Sequence, residues 1–158
     1  MKGLRGPMTQ LAWVVEDLDA AERAQPDVRW TRLPAIRFGP DHRLLRGRPA
    51  DFVADIALGY AGDLQLELIA PVSGDSIYTE HLAVHGPGLH HGCWETDDLD
   101  ATIAAVEASG RTCVQRGSMA GGEIEFAYLE PGLPGLPVVE VVRIGPGMRA
   151  FYDQLRAD

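Results

Sequence analysis

The 158-residue sequence predicts an α+β fold built from two copies of one strand–helix–strand–strand–strand unit. Three observations carry this. First, the stretch from Gln10 to Ala20 returns in altered form from His91 to Ala101. Trp13 is matched by Trp94, and Asp17-Leu18-Asp19-Ala20 by Asp98-Leu99-Asp100-Ala101, at a constant spacing of 81 residues. A repeat of this length in so short a chain marks two copies of one supersecondary unit. Second, each copy closes on an apolar run centred on a glutamate, Leu64-Gln-Leu-Glu67-Leu-Ile69 and Pro137-Val-Val-Glu140-Val-Val142. Third, the apolar residues between these runs come in lengths and spacings suited to short strands and short helices.

Leu11 to Val15 is valine-rich, with Trp13 at its centre, and reads as a buried strand. Asp17 or Asp19 can cap the helix that follows, which must stop before Pro26. Residues 26–50 are rich in proline, arginine and glycine and read as loop, with one strand around Ala35 to Phe38. Phe52 to Tyr60 and Leu64 to Ile69 are strands, joined through Gly59, Gly62 and Asp63. A connector from Pro71 to Gly88 holds a short helix over Ser76 to Val84. In the second copy His91 to Thr96 is a strand and Asp97 or Asp98 is the cap. Leu99, Ile103 and Val106 fall on one helical face, and Gly110 is the stop. Thr112 to Arg116, Glu125 to Leu129 and Val138 to Ile144 are three further strands. The whole is a single domain, 1–158, of two repeated units at about 8–71 and 89–144. In its tail, 147–157, Met148, Phe151, Tyr152 and Leu155 share a helical face that packs on the body or on a partner subunit.

The formal net charge of −9 argues against nucleic-acid binding, which needs a basic face. Cys93 and Cys113 form neither a disulfide framework nor a CxxC pair, so a reduced, cytoplasmic protein is expected. The segment Met1 to Pro7 lacks the apolar core of a signal peptide, and no apolar run reaches the length of a membrane span.

Period-two geometry sorts the strand side chains by face. Gln10, Ala12 and Val14 share one face of the opening strand; His91, Cys93 and Glu95 share the equivalent face of its copy. Gln10 and His91 can each bind a metal. Glu140 has valine on both sides, and an unpaired carboxylate buried there is costly, so it calls for a cation or a hydrogen-bonding partner. Glu67 alone is weaker evidence, because Gln65 and Glu67 together can be the wet side of a sheet. Taken together, Gln10, Glu67, His91 and Glu140 offer three oxygens and one imidazole nitrogen. That set suits a divalent zinc, nickel or cobalt ion, with iron, manganese and magnesium as further candidates and positions left open for water or substrate.

The remaining polar groups have bland readings beside their sharp ones. His90, adjacent to His91, should point to the opposite face and act in packing. His81 and His85 stand four apart, a spacing that binds zinc on a helix but is more often solvated. Arg37, Arg43, Arg46 and Arg48 crowd one loop and can grip a phosphate or carboxylate such as the tail of a CoA thioester, or simply be solvated. Cys93 can line the pocket or be a small buried thiol. Trp13 and Trp94 fall opposite the candidate ligands and read as helix-packing residues.

Several of these pieces, in this order, resemble one family. They are Gln10-Leu-Ala-Trp-Val-Val-Glu-Asp-Leu-Asp19, Leu66-Glu-Leu-Ile-Ala-Pro71, Gly86-Pro-Gly-Leu-His-His91, and Phe126-Ala-Tyr-Leu-Glu-Pro131 leading to Val139-Glu140-Val141. The chain is identified as a member of the vicinal oxygen chelate superfamily, the group of glyoxalases, methylmalonyl-CoA epimerases and bleomycin-resistance proteins. The resemblance implies paired βαβββ modules in a cupped, mostly antiparallel sheet around one divalent metal, with ligands at Gln10, Glu67, His91 and Glu140. It also implies a homodimer. The activity implied is an isomerase, epimerase or glyoxalase-type lyase acting on a small carbonyl or thioester substrate. A metal-stabilised enediolate forms there, and Glu140, with Glu67, moves the proton. A metal-free binding protein and a ring-cleaving dioxygenase are the alternatives on the same scaffold. Two departures stand out. The dioxygenase pattern has two histidines and a carboxylate, where this chain has Gln10. The second glutamate of the epimerases is missing, since no glutamate occurs between Glu22 and Glu67 and the nearby acids are Asp51 and Asp55.

Overall fold

The computed structural model describes residues 3–38 and 43–157. Strands β1 (Gln10–Val14), β6 (Phe52–Ala61), β7 (Leu64–Ser73), β8 (Gly88–Glu95), β9 (Thr112–Met119), β10 (Ile124–Glu130) and β11 (Val138–Ile144) make up most of one sheet. The short strands β2 (Thr31–Arg32), β3 (Ile36–Phe38), β4 (Arg43–Leu45) and β5 (Arg48–Pro49) complete it. The order across the sheet is β2-β6-β7-β1-β8-β11-β10-β9-β4-β5, with β3 also pairing β6. Two pairs are parallel, β1 with β7 and β8 with β11; the others are antiparallel. Four α-helices accompany the sheet: α1 (Leu18–Arg23), α2 (Ile77–His85), α3 (Leu99–Glu107) and α4 (Pro146–Ala157).

The repeat-equivalent strands stand in equivalent registers. In β1 and β7, Gln10 pairs Gln65 and Ala12 pairs Glu67; in β8 and β11, His91 pairs Val138 and Cys93 pairs Glu140. The two pairs join antiparallel, Gln10 opposite Cys93 and Ala12 opposite His91, so the halves of the chain meet along β1 and β8. The capping aspartates are equivalent too. The Ala20 N–H donates to Asp17 at 3.1 Å and the Ala101 N–H to Asp98 at 2.9 Å, each satisfying one orphan donor of a helix start.

Alternation separates two faces. Ala12, Val14, Ile56, Ile69, Phe126, Tyr128 and Val142 belong to one buried cluster, into which α2 adds Ile77 and Tyr78. The opposite face is covered by helices. Leu99, Ile103 and Val106 of α3 pack on Trp94, Leu129, Val139 and Val141, and Leu18 of α1 packs with Ala57, Leu68, Ala70 and Trp13. Strand β11 is therefore buried on both faces, which explains its unbroken valine run. Both tryptophans lie on the helix side, as expected from their parity.

The region between residues 26 and 50 departs from expectation. It was expected to hold one strand, but its described part holds four short ones. Strand β3 joins its own half by pairing β6, whereas β4 crosses to the far edge and pairs β9, Leu44 opposite Arg116. These pairings are long-range and leave no local hydrophobic pattern. The β4–β5 hairpin turns at Arg46 and Gly47, both with positive φ (48° and 78°), the conformation a two-residue hairpin loop favours. The connector helix, expected over Ser76 to Val84, starts at Ile77 with Ser76 as its cap and Thr79 reciprocating.

In α4, Met148, Tyr152 and Leu155 pack on the cavity-side cluster as the helical spacing predicts. Phe151 instead lies beside Tyr152, with ring centroids 5.9 Å apart. Glu123 accepts from the Gly147 and Met148 N–H groups at 2.8 and 3.2 Å, anchoring the positive start of this helix. No helix among the described residues is long and apolar enough to cross a membrane.

Candidate metal and proton-transfer site

The register places the four expected donors in two adjacent rows of the sheet. One row carries Gln10, Cys93 and Glu140; the next carries Glu67, Ala12 and His91. The central positions are small, Ala12 and Cys93, so longer side chains on either side can converge over them. His91 Nε2 lies 3.0 Å from Glu140 Oε2 and 3.5 Å from Glu67 Oε2, with the imidazole fully buried. Gln10 Nε2 donates to Gln65 Oε1 at 2.7 Å, and Gln65 Nε2 donates to the Tyr60 hydroxyl at 2.7 Å. This chain leaves Gln10 Oε1 buried without a partner, and His91 Nε2 likewise makes no aligned hydrogen bond.

Gln65 and Glu67 thus face the site and not solvent: Gln65 is 7% exposed. Glu140 is equally buried, as its valine neighbours require. Its partner is now visible in His91. Burial pushes the Glu67 carboxyl up, opposed by His91. For His91 burial acts downward, but the nearby Glu140 and then Glu67 outweigh it and raise the imidazole to about 9. The Cys93 thiol lines the same cavity, is buried, and is pushed well up by desolvation and then by Glu140.

His90 does not point to the opposite face. A register shift between Ala12 and Trp13 skips His90 in the β1–β8 ladder, making it the extra residue of a β-bulge. Such a bulge re-aims side chains. Here it brings His90 Nδ1 to 2.9 Å from His91 Nδ1. His90 is 1% exposed, packed against Tyr78, His81 and Tyr128. Burial, then the charge of His91, holds its pKa well below the ordinary value, and it is hydrogen-bonded to the Ile77 backbone. A neutral His90 bonded to a backbone carbonyl through one nitrogen can accept from His91 Nδ1–H with the other. That leaves His91 Nε2 facing the carboxylates. Tyr128 packs on His91 at 5.0 Å between ring centroids and shares a 2.8 Å hydrogen bond with Tyr78. Residues Tyr60, Gln65, Tyr78, His90 and Tyr128 were not singled out as site residues from the sequence. Only Tyr60 and Gln65 had a readable signal, since a tight turn at Gly62 places them opposite each other.

The donors open into a cavity of ≈ 480 Å³ walled by Phe38, Ile56, Phe126, Val142 and Ile144. Among the described arginines of the 26–50 segment, Arg37, Arg46 and Arg48 do not line it. Arg37 binds Asp51 at 2.6 Å and Arg46 binds Glu80 and Glu130 at 2.7 and 3.3 Å; Arg43 supplies backbone to β4, and its side chain lies outside the described residues. Asp51 is thereby turned outward, and Asp55 alternates with the inward Ala54 and Ile56, so neither stands in for a second cavity glutamate. His81 is buried on α2 rather than solvated, with its ring 5.1 Å from that of His85.

The donor set passes a test of fit to a divalent ion. Two donors each about 2.1 Å from one ion stand about 3.0 Å apart at a right angle and about 3.4 Å apart at a tetrahedral angle, close to the two His91 separations. The two buried, unpartnered polar atoms of the site are the amide oxygen and imidazole nitrogen that such an ion would take. Among the described residues no group of three or more His, Cys, Asp or Glu side chains is arranged to hold a metal ion.

The sequence profile of the Glyoxalase/Bleomycin resistance protein/Dioxygenase superfamily matches residues 9–128, and the chain belongs to that family. The fold matches methylmalonyl-CoA epimerase from Mycobacterium tuberculosis with a TM-score of 0.64 at 21% identity, over 95% of each chain. It also matches a hypothetical protein from Bacillus halodurans C-125, with a TM-score of 0.62 at 18% identity over 87% of this chain and 93% of that one. A curated relative, 4-hydroxyphenylpyruvate dioxygenase of Caenorhabditis briggsae, is 40% identical over 53 residues. That match takes in 32% of this chain and 14% of the relative's length.

Proposed function

We propose that the protein is a divalent-metal-dependent enzyme that moves a proton on a carbon next to a carbonyl, as an isomerase, epimerase or glyoxalase-type lyase. The observation that carries this is the convergence of His91 Nε2 on Glu140 and Glu67 beside an unpartnered amide oxygen of Gln10. Gln10, Glu67, His91 and Glu140 would hold the ion, zinc, nickel or cobalt by donor type. When bound, the ion supplies Lewis acidity to a carbonyl oxygen, favouring loss of the neighbouring proton.

The chain's own residues do the rest. Glu140 takes the proton from the carbon, and Glu67, on the facing half of the sheet, is placed to return one. His90 fixes the imidazole of His91, while the Gln65–Tyr60 chain fixes the Gln10 amide. The apolar walls keep water from the reacting carbon. The epimerase likeness supports the scaffold and the small-molecule site. The missing second glutamate favours a reaction in which both proton transfers use the Glu67–Glu140 pair.

The test is metal stoichiometry in purified full-length protein exposed to zinc, nickel and cobalt in turn. About one equivalent of at least one ion is expected. Less than about a tenth of an equivalent with all three would replace this reading by a metal-free binding protein, since a competent site of this type fills.

A further inference from the structure

We propose that the cavity takes an uncharged, apolar substrate and excludes an anionic carrier thioester. The substrate would be an aromatic or branched-alkyl carbonyl compound with a second oxygen on the neighbouring carbon. This rests on the proton-transfer reading above and narrows it.

The cavity of ≈ 480 Å³ is of the size that small-molecule sites commonly have. A small molecule fills it, so the long phosphorylated arm of a coenzyme thioester would have to leave across the rim. Among the described lining residues only Arg149 and Arg156 are cationic, and both are engaged. Arg149 binds Glu95 at 2.6 Å; Arg156 binds Asp153 at 3.1 Å and Asp63 at 3.5 Å. Three carboxylates therefore surround two guanidinium groups at the rim, a net charge of −1, while at the floor a bound divalent ion would offset Glu67 and Glu140. A phosphate or carboxylate at this rim meets repulsion unless it displaces an existing ion pair. A rim of net negative charge disfavours ligands of that sign. Of the described arginine side chains in the 26–50 segment, Arg37 and Arg46 are tied to Asp51 and to Glu80 and Glu130, and Arg48 is not among the residues lining the cavity.

The walls specify the rest of the ligand. Phe38 and Phe126 stand edge to face at 6.2 Å between centroids, with Ile56, Val142 and Ile144 around them. This surface offers dispersion contacts and no hydrogen bonds, so it complements a ring or branched chain. Gln10, Glu67 and Glu140 stand at the floor, and the ion-paired Arg149 and Arg156 at the rim. A matching ligand carries its two oxygens at one end and hydrocarbon at the other.

The experiment uses the metal-loaded full chain and three probes. They are 1-hydroxy-1-phenylpropan-2-one, its para-carboxylate derivative (one negative charge remote from the two oxygens), and methylmalonyl-CoA. Binding is read by calorimetry, and exchange of the carbon-bound proton by NMR in D₂O. The neutral probe is expected to bind about tenfold or more tighter than its carboxylate, to exchange, and to outcompete methylmalonyl-CoA. Equal or tighter binding of either anion, or no binding of the neutral probe, overturns the proposal. If methylmalonyl-CoA is the probe that exchanges, the proton-transfer reading survives and the substrate class falls. If the neutral probe binds best but nothing exchanges, the substrate class stands and the chemistry falls.

Discussion

The β1–β7 side and the β8–β11 side of the sheet hold their donors in matching registers but by different means. On the first side, Gln10 is oriented by a run of hydrogen bonds through Gln65 to Tyr60, which lines the cavity and is half-buried. On the second, His91 is oriented by a fully buried neighbour that a bulge swings onto the same face. The two halves offer matching backbone positions. What differs is the stiffness and basicity of what fills them: a neutral amide on a half-exposed tether against an imidazole locked in the core. The second half should therefore dominate ion binding, and the first should tune it.

The largest expected effect breaks the second half directly. His91→Ala should weaken zinc or cobalt binding by more than about a hundredfold, while Gln10→Ala should cost less, since an outer partner alone is typically worth 10–100-fold. Titration of both variants checks the ranking, and equal losses would erase the proposed asymmetry. Next, His90→Leu should weaken metal binding by about 10–100-fold, with His90→Gln restoring part of it because an amide oxygen can accept from His91 Nδ1–H. In the metal-free protein above pH 9, where the His91 ring is neutral, its tautomer, followed by ¹⁵N NMR, should become mixed in the leucine variant alone.

A third expectation concerns pH in the metal-free protein. His91, raised to about 9, contributes stability that is complete below the unfolded value of about 6.5 and is lost as pH rises through 9. His90, lowered by burial, has the opposite sign: the unfolded chain takes up its proton first, so stability falls as pH drops below about 6.5. As far as these two groups govern it, stability peaks near their shared unfolded value. Denaturant midpoints measured across pH check this, and His90→Gln should flatten the acid limb only. The smallest effects compare the duplicated caps. Asp17→Ala and Asp98→Ala should each cost about 1 kcal/mol. A much larger loss at one of them would show that the capped helices do not carry equal weight.

The four candidate donors were legible from the sequence, Gln10 and His91 through the 81-residue repeat, Glu67 and Glu140 as the centres of the closing apolar runs, and Glu140 also by its valine neighbours. The two helix-facing tryptophans followed from the same parity. His90 was misplaced because a bulge depends on how β8 meets β1, which no single strand encodes. Gln65 was left between two readings because a strand shows its parity but not which side solvent occupies. The arginine loop was read from composition alone, and its ion pairs, Arg37 with Asp51 and Arg46 with Glu80, depend on residues brought near by the fold. Strand β4 escaped detection for the same reason, since its partner β9 lies some 70 residues ahead, and β5 pairs with β4.

That crossing of β4 to β9 has a consequence for how the molecule holds together. A segment from the early part of the chain is stitched to the border of the late part, and the Arg46 N–H donates to the Val114 carbonyl at the end of the seam. Severed between β7 and β8, neither fragment would be self-sufficient. One would carry a loose hairpin with nothing to lie against, and the other a bare strand edge open to aggregation. The seam makes each half of the sheet depend on the other.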